Sequence, residues 1–68
     1  MEYQQFIIED IPYNEVEDII DGNIGTKVEW LDNYGENCNR VVIRYVDEEC
    51  LESALQTLYD NGASYSEV

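Results

Sequence analysis

At 68 residues, with 44% apolar residues, six Tyr, one Trp and one Phe, the chain (1–68) is sized for a single domain with a small core and is too aromatic for a disordered acidic tail. Sixteen Asp and Glu against three Lys and Arg set a formal net charge of −13, which opposes direct contact with phosphate backbones or anionic membranes. No run approaches the ~20 apolar residues of a membrane span, and the lack of His removes His-dependent activation of a nucleophile.

The opening MEYQQFIIED has no positive n-region and is expected to serve as a strand, not a signal peptide. Within it YQQFIIE (3–9) alternates, with Phe6 and Ile8 on one face and Tyr3, Gln5 and Ile7 on the other. DIPYNEVEDIIDG (10–22) switches to helical spacing: Tyr13, Val16, Ile19 and Ile20 recur at i, i+3 and i+4 steps. Pro12 suits its first turn and Gly22 the position just past its end. GTKVEWLD (25–32) alternates again, setting Thr26, Val28 and Trp30 against Lys27, Glu29 and Leu31. NYGENCN (33–39) is expected to be a hairpin loop. RVVIRYV (40–46) is the strongest strand, with Val41, Ile43 and Tyr45 on one face and Arg40, Val42, Arg44 and Val46 on the other. Asp47 can cap a helix whose stripe is Leu51, Ala54, Leu55 and Leu58, and Gly62 closes it. ASYSEV (63–68) is long enough for a short edge strand.

The order β-α-β-β-α-β is that of the ferredoxin-like split βαβ fold, α+β, with a four-stranded antiparallel sheet and two helices on one face. The alternation assigns Phe6, Ile8, Val28, Trp30, Val41, Ile43 and Tyr45 to the helix-facing side, opposite Val16, Ile19, Ile20, Leu51, Ala54, Leu55 and Leu58. Each large apolar side chain buried there contributes about 1.5–3 kcal/mol before chain entropy is charged against it.

On that frame the charge is one-sided. The first helix exposes Glu15, Glu17, Asp18 and Asp21, and the second Glu48, Glu49, Glu52 and Asp60. Asp10 and Asp47 are placed at helix starts, where the macrodipole favours carboxylates. None of the three basic residues lies on a helix; Lys27, Arg40 and Arg44 are assigned to the open face of the sheet, beside Tyr3, Ile7, Leu31, Val42 and Val46. Solvated helices commonly mix signs in i,i+4 pairs, and these do not. A soluble acidic surface is the plain explanation. The sharper one is that the eight carboxylates form a surface that a nucleic-acid-binding groove attracts.

With these features, and with the acidic stretches NEVEDIID and DEECLE, the chain resembles small acidic phage-encoded anti-CRISPR proteins of the DNA-mimic type with ferredoxin-like topology. The resemblance rests on size, charge and element order, and carries no motif. It implies an inhibitor that occupies the DNA-binding path of a CRISPR surveillance complex in the bacterial cytosol, with no catalysis of its own.

Two alternatives stay open. An immunity protein or antitoxin would neutralise a basic nuclease with the same charge logic. A small interaction module would use the open sheet face, as a monomer or weak homodimer. No enzyme motif, cofactor or metal site is expected: the glycines of DGNIG lack a Walker Lys, and neither DGNIGTKVE nor DNYGEN keeps EF-hand spacing. Two Cys cannot ligate an iron–sulfur cluster. A strand of ~20 Å between Cys38 and Cys50 argues against a disulfide, and in a cytosolic protein both are expected as free thiols.

Overall fold

Six elements form in the computed structural model, which describes residues 2–68: β1 (Glu2–Glu9), α1 (Tyr13–Gly22), β2 (Thr26–Gly35), β3 (Cys38–Tyr45), α2 (Glu48–Asp60) and β4 (Ser64–Glu67). The strands make one open sheet in the order β2-β3-β1-β4, and every neighbouring pair is antiparallel. This is the ferredoxin-like arrangement the element order predicts.

Alternation sets which face is buried. Phe6 and Ile8 of β1 and Val41, Ile43 and Tyr45 of β3 join Val16 and Ile20 of α1 and Leu51, Leu55 and Leu58 of α2 in one cluster, so both helices cover the same face. Ile11 and Ala63, at the links into α1 and β4, complete it. The edge strand β4 adds Tyr65, whose ring meets Phe6 edge-on with centroids 6.1 Å apart.

Strand β2 departs from the simple pattern. Val28 pairs with Ile43, but Trp30 pairs with Val42, so one extra residue is inserted at Glu29. A bulge shifts the two-residue period by one and exchanges the faces beyond it. Trp30, expected in the core, therefore stands on the open face with 47% of its surface exposed. Leu31, expected on the open face, packs against the core instead.

The expected hairpin loop over 33–39 is also mostly strand, and only Glu36 and Asn37 turn. Asn37 takes φ 60° there, a left-handed conformation that Asn tolerates better than most residues. Asn39, a turn-type residue by composition, is fully buried in β3. Its amide donates to the carbonyls of Ile8 (3.4 Å) and Ile11 (3.1 Å) and accepts from Asn33 Nδ2 at 2.9 Å. It stitches the turn between β1 and α1 to the central strand.

The helix ends follow from local chemistry. Asp47 caps α2 by accepting from the Cys50 N–H at 2.9 Å. At the other end Gly62, at φ 92°, lets Ala63 N donate to Leu58 O and Gly62 N to Tyr59 O, both at 3.0 Å, which is a Schellman closure. The α1 start differs from expectation. Pro12 is its N-cap and supplies no side-chain bond, while Asp10 stands apart at φ 74° and accepts from Ser64 Oγ at 2.8 Å. Asp10 thus fastens the β1–α1 turn to β4 and does not cap the helix.

Asn39→Ala is expected to lower stability by about 1–3 kcal/mol, because it strips the buried Ile11 carbonyl of its donor. Urea unfolding checks this. Asn33→Ala, at the exposed end of the same network, is expected to cost less.

Candidate partner-binding surface

Helices α1 and α2 lie side by side on the sheet, joined at their rim where Ser53 Oγ donates to Asn23 Oδ1 at 3.3 Å. Their apolar stripes face the sheet, so their polar positions face outward. Glu15, Asp18, Asp21, Glu48, Glu49, Glu52 and Asp60 are exposed, and Glu17 is half-buried. All eight belong to the helical layer, as their spacing predicts.

Two of the eight have internal duties. Asp21 Oδ1 accepts from the Val28 N–H at 2.9 Å and so anchors the start of β2 to the end of α1. Asp60 Oδ1 accepts from Gln56 Nε2 at 2.9 Å along the outside of α2. Among the described residues none of the eight is in an ion pair, and the ion pair there is Arg44 with Glu29, 3.7 Å apart on the other side of the sheet.

That other side holds the cations. In register, Lys27 lies beside Arg44, and Asp32 beside Arg40. The Arg40 guanidinium also stacks 5.4 Å from the centre of the Tyr34 ring. Glu9, Glu29 and Asp32 share this face with Lys27, Arg40 and Arg44, so three acids balance three bases. The whole formal charge of −13 therefore belongs to the helical layer, the turns and the sheet edges.

Apolar groups punctuate both sides. Ile24, at the link from α1 to β2, is 92% exposed and lies beside Glu49, Cys50 and Ser53 at the start of α2. Tyr13 and Tyr59 are exposed on the helices. On the open face Trp30 joins Tyr3 and Tyr34. Hydropathy patterning missed Trp30 because a bulge leaves no sharp mark in a β-rich run.

Local fields follow the acids. The Cys50 and Glu49 N–H groups at the start of α2 hold the Asp47 carboxyl below its ordinary pKa. The neighbouring Cys50 thiol moves upward, through its hydrogen bond with Asp47, partial burial and the adjacent carboxylates. Burial, and then Glu48, raise the Tyr45 phenol. A thiol raised this way is a poor nucleophile at neutral pH. Cys38 and Cys50 are both free.

Among the described residues no three His, Cys, Asp or Glu converge as metal ligands, and no helix is long and apolar enough to cross a membrane. The chain matches no family model, no curated protein and no solved structure.

Two outcomes follow. Adding salt from about 20 mM to about 300 mM is expected to raise the melting temperature by a few degrees, because screening relieves the net repulsion; calorimetry reads it. The lowered Asp47 pKa means that its charged cap stabilises the fold above the ordinary carboxylate pKa, and that this is lost as pH falls through the lowered value. The stability gap between wild type and Asp47→Asn should accordingly be present at neutral pH and close on acidification.

Proposed function

We propose that this protein is an inhibitor that works by acidic nucleic-acid mimicry. Its target is a nucleic-acid-binding protein or complex, with the DNA path of a CRISPR effector as the target class that the resemblance to anti-CRISPR proteins suggests. The observation that carries this reading is the partition of charge: a neutral open sheet face, and the entire net charge of −13 elsewhere. Mere solubility does not require eight helical carboxylates without one compensating cation.

The mechanism is competition. A groove built for phosphates presents Lys and Arg, and the acidic helices enter it by electrostatic steering, excluding nucleic acid by volume and charge. Glu15, Glu17, Asp18, Glu48, Glu49 and Glu52 do this without sacrificing a bond inside the fold. Asp21 and Asp60 add charge while serving their local hydrogen bonds. An immunity protein that neutralises a basic nuclease would use the same surface, and the captured partner distinguishes the two.

The test is capture from bacterial lysate on the tagged protein at low salt, with a salt gradient and added duplex DNA as eluents. One nucleic-acid-handling complex, released by both, is the expected result. Partners that survive high salt and ignore DNA would sink the reading. With that target in hand, each single Glu→Gln change is expected to weaken binding less than about fivefold, as solvent-facing ion pairs do. Glu15, Glu17, Glu48, Glu49 and Glu52 all changed to Gln should weaken it by about a hundredfold or more, with the fold checked by circular dichroism.

A further inference from the structure

On the open face of the sheet the charge balances, and apolar groups collect there. Tyr3, Trp30 and Tyr34 are each about half exposed, at 56%, 47% and 51%. Ile7 and Val42 fill the space between the strands' polar residues and are half-buried. We infer that this face is the interface of a homodimer, in which two sheets pack against each other and the acidic helical layers point outward.

Charge geometry selects a second copy as the occupant. Two molecules that meet through their helices press unpaired carboxylates together. A head-to-tail contact sets those carboxylates against a face with no net positive charge, so nothing draws the copies into that arrangement. Sheet-to-sheet packing leaves about 10 Å between the sheets and places each helical layer a further ~10 Å behind. The two acidic layers are then ~30 Å apart, several screening lengths at physiological salt. A face with equal numbers of acids and bases is also self-complementary about a two-fold axis, since Lys27 or Arg44 of one copy can meet Glu9 or Asp32 of the other.

The area is sufficient for a weak interface. Eight-residue strands span ~26 Å, and four strands cover ~19 Å. Two such faces bury on the order of 1,000 Å² together, the lower bound of a specific contact. The dimer is therefore concentration-dependent. A single-stranded nucleic acid would also find aromatics and cations here, but the field of the whole molecule repels it.

The experiment is analytical ultracentrifugation of the full chain from about 10 µM to about 1 mM, at low salt and at about 0.5 M salt, with Trp30 emission followed in parallel. The expected mass rises from 7.9 kDa toward twice that value. It does so more readily at high salt, where the net repulsion is screened. Emission from Trp30, the one Trp of the chain, shifts to shorter wavelength over the same range. Trp30→Glu with Val42→Glu should raise the dissociation constant at least tenfold, and Tyr3→Ser reads the same face should that pair not fold. Ile24→Glu, at an exposed apolar position off this face, should leave the dimer intact.

A 7.9 kDa species at every concentration in high salt overturns the inference, as does a dimer that Ile24→Glu dissociates and Tyr3→Ser spares. Nucleic acid or a different protein held at this face by a chain that never self-associates also overturns it. Capture of a basic target weakens with salt where the dimer tightens, so the two readings fail separately.

Discussion

One apolar layer between a four-stranded sheet and two helices must hold together a 68-residue chain carrying a net charge of −13. Everything else in the structure accommodates that demand. Carboxylates repel one another through solvent, and a small domain has little surface on which to spread them. The arrangement here keeps them out of the core. Val16, Ile20, Val41, Ile43, Ile8 and Leu58 are fully enclosed, and Asn39, the one fully buried polar side chain among the described residues, has its amide hydrogen-bonded.

Several acids stabilise the fold through hydrogen bonds inside it. Asp47 caps α2, Asp21 secures the first residues of β2, and Asp10 bridges to Ser64 at the start of β4. Each sits where backbone N–H groups or a hydroxyl are available, so each offsets a little of the repulsion it adds. The remaining helical carboxylates make no such bond. Glu15, Glu17, Asp18, Glu48, Glu49 and Glu52 therefore remain free to meet an outside partner, and the mimicry reading rests on them.

The two faces of the molecule differ in physical character. The helical side acts at a distance, through a field that salt weakens. The open sheet carries no net charge, so contact through its aromatic surface is not opposed by a field and does not depend on low salt. A homodimer through the sheet would double the acidic surface and present it on opposite sides of one particle, leaving both helical layers free. The two proposed uses are therefore compatible, and ionic strength separates their effects.

Periodicity alone determined the six elements, their order, the ferredoxin-like class and nearly all of the core, because period 2 and period 3.6 select the buried face by themselves. It also placed the eight acidic residues on the helices and the three basic ones on the open sheet, since charge follows the same alternation. Only the tertiary structure decided the side on which Trp30 and Leu31 lie. The extra residue at Glu29 is set by pairing with β3, and pairing is a relation between distant segments that no local pattern contains. The same holds for Asn39. Its composition suggests a turn, and it becomes a core residue because Ile8 and Ile11, some thirty positions earlier in the chain, bring carbonyls to meet its amide. Asp10, read locally as a helix-start residue, is held by a hydroxyl 54 residues away. Local chemistry chose the elements, and long-range hydrogen bonding chose which side chains the finished surface shows.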